Sequence, residues 1–348
     1  MQFQPQAADL SGVQAMEWCG SSLRLLDQRR LPEESVWVEC LDAAQVAEAI
    51  RDSVVQGAAA IGIAAAYGIA LAARCIGQAH DWTAALEADF ALLGATRPSA
   101  ASLAWALRML RERLRRPLGD AANVPELLAQ AAISIHVSDR EANLAMGKLG
   151  AQVIRRHDRQ PQNMLTLGNA GALAGGGYGS ALGVIRAAHA AGLVAELYAC
   201  ETRPGRAGQR TLWELTQDQL PVTLHVDGAA GHLMKSENVS WVVVGAEYIA
   251  ANGDVVNAVG TYALAILAMH HGLRFMVVAP SSSVDLALET ADEVDLGVPL
   301  PGQSAQQLFD VTPADLIDVI VTEKGIVERP DQARLAELLS HRRLHCVL

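Results

Sequence analysis

At 348 residues the chain is longer than the ~250–300 residues at which single cores stop growing, so two domains are expected. Hydrophobic residues make up 51% and aromatics only 4%, and a net charge of -11 without any long Lys/Arg run argues against nucleic acid or an anionic membrane as partner. The five cysteines are scattered with no C-x-x-C pair, which supports neither a disulfide framework nor a zinc site, and neither a metal nor a cofactor is expected.

The first ten residues lack the basic-then-apolar pattern of a signal peptide, and a cytoplasmic protein is expected. Residues 15–18 and 22–26 alternate as short strands, and 31–38 reads as a third, so a small sheet opens the fold. Behind Asp42, a candidate N-cap, Val46, Ile50 and Val54 recur at helical spacing. The apolar run 58–73 is broken by Gly62, Tyr67 and Gly68 and is shorter than the ~20 residues of a membrane span, which makes it a buried helix. Residues 81–93, 102–115 and 125–154 keep apolar positions three and four apart and are read as helices. The polar segment 155–162 is the candidate boundary between a mainly helical N-terminal domain (1–155) and a second domain (160–348); its Arg155, Arg156 and Arg159 read as a solvated helix end.

From there short apolar runs at 164–167, 194–199, 222–226, 241–244 and 274–279 alternate with helical patterns at 180–191, 211–218, 228–234 and 258–270. This rhythm predicts an α/β fold with a Rossmann-like, doubly wound parallel sheet. Ligands of such sheets bind beyond the carboxyl ends of the strands, which points to Gly168, Glu201, Asp227, Glu247 and Asn257. The turn after 164–167 is rich in glycine and leads into a helix, an arrangement that aims backbone N–H groups at an anion such as phosphate. Its spacing fits neither the Walker pattern nor G-x-G-x-x-G, and close helix–sheet packing accounts for the glycines equally well.

Leu165-Thr-Leu-Gly-Asn-Ala-Gly-Ala-Leu-Ala174 and Gly177-Tyr-Gly-Ser-Ala-Leu-Gly-Val-Ile-Arg186 resemble the core signature of the methylthioribose-1-phosphate isomerases. That family is related to the regulatory subunits of the initiation factor that exchanges guanine nucleotide and to ribose-1,5-bisphosphate isomerases. The resemblance extends through Leu26-Asp-Gln-Arg-Arg-Leu-Pro32, Thr96-Arg-Pro98, Glu201-Thr-Arg-Pro204, Ile249-Ala-Ala-Asn-Gly-Asp254, Gly260-Thr-Tyr262 and Thr322-Glu-Lys-Gly-Ile326. It implies a sugar-like ligand and a homodimer formed through the C-terminal domain, where the alanine-rich helices at 180–191 and 258–270 offer small apolar faces.

In the family an acid/base pair, a cysteine and an aspartate, opens the sugar ring and moves hydrogen between C2 and C1. The cysteine position is Gly168 here, which has no titratable atom, and the aspartate is matched to Asp227, whose bland alternative is an N-cap for 228–234. Glu201 and Glu247 complete a candidate acid/base set. The phosphate ligands also differ: Gln56 replaces an arginine ahead of Gly57 and Ala58, Ala258 a lysine after Asn257, Gln209 an arginine close to Arg206 and Arg210, and Glu247-Tyr248 an Asp-Arg pair. Arg97, Asn169 and Arg203 remain, and 296–303 replaces an acidic loop that borders the family's site. The leading expectation is a divergent isomerase-like enzyme acting on an altered sugar-like substrate with Asp227 as acid/base. The alternatives are a non-catalytic binding or regulatory protein, and an ordinary isomerase into whose site a cysteine such as Cys200 enters.

Overall fold

The computed structural model describes residues 12–97, 100–115, 123–294 and 308–340. These form two compact units: the described residues up to Glu141 with Ala172–Gly179, and Ala142–Gly171 with the residues from Ser180 onward.

The first unit opens on an antiparallel sheet of β1 (Met16–Trp18), β2 (Leu23–Leu26) and β3 (Trp37–Cys40). The third strand starts later than its apolar pattern implies, because 28–33 are turns and Pro32 has no N–H for a ladder. Helix α1 (Ala43–Arg51) is capped by Asp42, whose side chain accepts from the Gln45 N–H. Then come α2 (Ala58–Ile76), α3 (Trp82–Gly94) and α4 (Ala101–Arg115). By length and hydropathy α2 could cross a membrane, but every residue from Ala60 to Ala73 is buried, so it is the core helix of this unit.

Helix α5 (Val124–His157) explains why the units do not part at 155–162. Its first turns give Val124, Leu128, Ala129 and Ala132 to the first core, and its last give Met146, Ala151, Val153 and Ile154 to the second. The polar segment is therefore a helix end running into the next strand, and the division falls within one unbroken helix.

The second unit runs β4 (Gln162–Thr166), α6 (Ala181–Ala190), β5 (Val194–Cys200), α7 (Ala207–Gln217), β6 (Val222–His225), α8 (Ala230–Ser236), β7 (Val239–Val244), β8 (Tyr248–Ala250), β9 (Val255–Ala258), α9 (Thr261–His271), β10 (Arg274–Val278), β11 (Val284–Asp285), β12 (Phe309–Thr312), β13 (Val319–Thr322), β14 (Gly325–Glu328) and α10 (Gln332–Ser340). The main sheet has the order β14-β13-β10-β7-β4-β5-β6 and is parallel except for β14. Its parallel strands follow the doubly wound order, which reverses between β4 and β7.

The central strands β4, β7, β10 and β13 are buried on both faces, so their apolar runs are continuous, whereas the edge strands β6 and β14 are partly exposed. Met164, Trp241 and Val243 face the core shared with the end of α5, with α6 and with α7, while Leu165, Val242 and Val244 face α8, α9 and α10. A second sheet, β11-β8-β9-β12, has strands of two to four residues, too short to give a periodicity.

Helix α7 sits close on β5 because position 208 is glycine: a Cβ there would run into the Cys200 carbonyl. Gly208→Ala is expected to push α7 off the strand and destabilise the protein by ~1–3 kcal/mol, measurable as a lowered thermal midpoint.

Candidate active site at the strand switch point

Strand β4 ends at Thr166, and Gly168 turns the chain with φ +82, a conformation that L side chains rarely adopt. A Cβ built at Gly168 would meet nothing within 4 Å, so the space in front of it is open. Both polar groups of Gly168 are taken by threonines: its N–H donates to Thr202 Oγ1 (2.8 Å) and its carbonyl accepts from Thr211 Oγ1 (2.6 Å). Asn169 Nδ2 donates to Thr211 Oγ1 (3.1 Å) and to Glu214 Oε2 (3.4 Å). Behind them lies a buried ionic cluster in which Arg186 donates to Glu214 (2.7 Å) and to Asp218 (2.8 Å).

The neighbouring strands bring Glu201 and Asp227 to the same edge. Glu201 is half-buried at the end of β5, tied through its N–H to the His225 carbonyl. Asp227, beyond β6, does not cap the helix that follows it, since neither the 3-10 turn at 227–229 nor α8 has a side-chain cap. Its carboxylate instead accepts the backbone N–H groups of Thr202 (2.7 Å) and Arg203 (2.8 Å).

Glu247 follows β7, directly across the switch point from β4. Its own N–H is fixed on the Val256 carbonyl, and burial pushes its carboxyl above the usual carboxylate range. Burial without a compensating cation favours the protonated form and places the group among candidate acid/base residues. Tyr248, next in the chain, packs on the small cluster around Ala250 and Val256, which agrees with an interior packing role.

Other expected positions fall differently. Asn257 lies within β9 of the second sheet rather than at the end of a parallel strand, and its amide donates to Thr261 Oγ1 (3.0 Å). Ala258 closes the same strand. Arg203 is exposed and Gln209 half-buried. The residue that the α7 region leaves in want of an acceptor is Arg210: its Nε is buried without a partner, burial lowers its pKa, and the carboxylate that offsets it, Glu214, is already engaged by Arg186. A buried Nε without an acceptor is visible only in three dimensions.

In the first unit Gln56 Nε2 donates to the Ser53 carbonyl (3.2 Å), and Arg97 Nη2 donates to Ser53 Oγ (2.5 Å) while its Nε has no partner. Gly57 begins α2 with no room for a side chain against Ala174, and Ala58 is the first helical residue. The expected loop 296–303 and Pro98 lie outside the described residues.

Cys200 is buried, and burial together with the Asp227 charge pushes its thiol up to about 12. Burial of this kind holds the group as the thiol, the form less suited to proton transfer or attack. Arg155, Arg156 and Arg159 line a cleft of about 1120 Å³ at the amino ends of the strands, away from Gly168, and Arg155 and Arg156 sit in the last turn of α5, where positive charge suits the helix dipole.

A seven-stranded sheet whose parallel order reverses between β4 and β7 defines a Rossmann-like α/β protein. The sequence pattern of the Initiation factor 2 subunit family matches residues 54–329. The chain is 57% identical to the methylthioribose-1-phosphate isomerase of Stutzerimonas stutzeri over 96% of its own length and 97% of that protein's. It is 56% identical to that of Pseudomonas aeruginosa, with the same shares covered. Among solved structures, 5-methylthioribose 1-phosphate isomerase from Pyrococcus horikoshii superposes with a TM-score of 0.85 at 34% identity, covering 95% of this chain and 97% of that one. The translation initiation factor eIF-2B subunit delta from A. fulgidus gives 0.83 at 32%, covering 95% and 100%. The chain belongs to the methylthioribose-1-phosphate isomerase family.

Proposed function

We propose that the chain is an aldose–ketose isomerase of methylthioribose-1-phosphate in which Glu247, rather than Asp227, carries the proton. The observation behind this reading is the placement of Glu247 just beyond β7, next to β4 at the switch point, where burial favours the protonated carboxyl. The isomerisation moves a hydrogen from C2 to C1 and the O2 hydroxyl proton to the ring oxygen as the ring opens; a base that takes the C2 proton and returns it to C1 works best with a pKa near the working pH. Asp227 is less suited, because both its oxygens are committed to backbone N–H groups. The relatives named for this activity support the same substrate. Purified protein incubated with methylthioribose-1-phosphate should yield the ketose, followed by NMR.

One observation favours a second reading, an altered sugar-like ligand. Gly168, Gln56 and Ala258 stand where the resemblance places a cysteine, an arginine and a lysine. Each charge-assisted contact to phosphate contributes ~1.5–3 kcal/mol, so loss of two weakens a phosphoester by orders of magnitude. If methylthioribose-1-phosphate is neither turned over nor raises the thermal midpoint, the first reading is wrong and the second stands.

The homodimer of this reading forms through α9 alone. Its Tyr262, Ile266 and Met269 are 44%, 36% and 60% exposed at helical spacing, whereas α6 spends its apolar residues on the core. Light scattering should give twice the mass of one chain, and Ile266→Glu with Met269→Glu should halve it. A monomeric parent rules the dimer out.

A further inference from the structure

We propose that Asp227 is a positioning residue, a latch that holds the β5–α7 loop in the one conformation that fixes the Gly168 peptide at the switch point. Three strand ends are involved, and β4, β5 and β6 are adjacent in the sheet. From the end of β6, Asp227 Oδ1 accepts the Thr202 N–H (2.7 Å) and Oδ2 the Arg203 N–H (2.8 Å). Thr202 has φ +58, a left-handed conformation that is an outlier for a β-branched residue and persists only where its surroundings enforce it. Two charge-assisted bonds to consecutive N–H groups are such an enforcement.

In that conformation the Thr202 hydroxyl is buried between strands, donating to the Cys200 carbonyl (3.2 Å) and accepting the Gly168 N–H (2.8 Å). From the helix that the loop leads into, Thr211 of α7 donates to the Gly168 carbonyl (2.6 Å). Gly168 is thus held through its N–H by the loop and through its carbonyl by α7, and Asp227 sets the shape of the loop that supplies the first of these holds. The loop also carries Glu201 and Arg203, so the carboxylate fixes where these two side chains start.

Catalytic service by Asp227 would conflict with this arrangement. A proton placed on either oxygen would neutralise the carboxylate and weaken both charge-assisted bonds to the loop, so the latch would loosen as the group worked.

Amide hydrogen exchange read by mass spectrometry tests the latch without any activity. In Asp227→Ala the amides of Thr202, Arg203 and Gly168 should exchange at least ~10-fold faster than in the parent, with α9 and β7 unchanged. Thr202→Val, which keeps the side-chain shape but removes the hydroxyl, should release the Gly168 amide alone, and it serves if Asp227→Ala does not fold. Unchanged protection of Gly168 in either variant overturns the proposal.

The kinetic arm rests on the isomerase reading above. Asp227→Asn should lower kcat by about 10²-fold through misplacement while leaving the pH profile of kcat/KM in place, because Glu247 titrates it. Loss of a limb of that profile would make Asp227 an acid/base group and end the proposal. A parent without turnover would refute the isomerase reading, and the exchange experiment would still decide on the latch.

Discussion

Glu247→Gln is expected to lower turnover of methylthioribose-1-phosphate by ~10²–10⁴-fold and, at neutral pH, to make the protein more stable than its parent. Both effects come from one cause. Burial raises the Glu247 carboxyl above its ordinary range, so between the unfolded and folded pKa values the folded protein holds a proton that the unfolded chain releases. For the parent, stability therefore falls as pH rises through that window, and every tenfold difference in proton affinity between the two states is worth ~1.4 kcal/mol. Glutamine bears no charge, and the variant escapes this loss. The two proteins should unfold at the same temperature below about pH 4, and the gap should widen upward in favour of the variant until the folded carboxyl is fully ionised. Activity of the parent runs the other way, rising with pH as the base ionises. Thermal unfolding and initial rates across about pH 4–8 read both quantities. A stability difference independent of pH would remove the buried-carboxyl argument, and a variant as active as its parent would shift the proton transfer to Glu201.

Much of the fold is legible in the sequence because buried parallel strands are continuous apolar runs and the crossover helices keep helical spacing. Met164 and Leu165, or Val242 and Val243, are consecutive apolar residues that point into opposite cores, and only a strand covered on both faces needs them. The same logic fails for β8 and β9, whose few residues flank the Asn252-Gly253-Asp254 turn and read as a loop, so that the pattern puts Asn257 at a strand end. It fails again at α5, where polar 155–162 signals the end of a helix and carries no information on which core each turn of that helix serves.

At the site the sequence exposes the carboxylates but not their roles. Asp227 and Glu247 both follow apolar strands, and on paper either could transfer a proton. What separates them is the surroundings: two N–H donors from a loop 25 and 24 residues away for Asp227, and desolvation for Glu247. The dimer face shows the same limit, since α6 and α9 are similar in composition, and only packing shows that α6 is consumed by the core.

The largest loss of stability is expected from Arg186→Met, at ~3–5 kcal/mol. Arg186 is buried between two carboxylates, with side-chain exposures of 1% for Arg186, 0% for Glu214 and 3% for Asp218. Removing the guanidinium leaves two desolvated anions facing each other without the cation that bridged them, with only Arg210 acting on Glu214, which is worse than never having buried them. In the variant both carboxyls then resist ionisation, their folded pKa values rise, and stability falls as pH increases through the ordinary carboxylate range and beyond. The deficit against the parent should accordingly shrink in mild acid. The damage reaches the site, because Glu214 also holds Asn169 and stands against Gly171. Replacing the whole cluster by Arg186→Met, Glu214→Leu and Asp218→Leu should recover only part of the stability, since the two facing carboxylates are gone but Arg210 loses the carboxylate that offsets its burial, while Asn169 keeps only its Thr211 partner and turnover stays low. Urea unfolding at about pH 5 and about pH 8 for the single and triple variants, beside their turnover, separates the two roles. A single variant that loses less than ~1 kcal/mol at the higher pH would mean that water reaches the carboxylates and that the cluster is not the fixed support of the Asn169 side chain inferred from its burial.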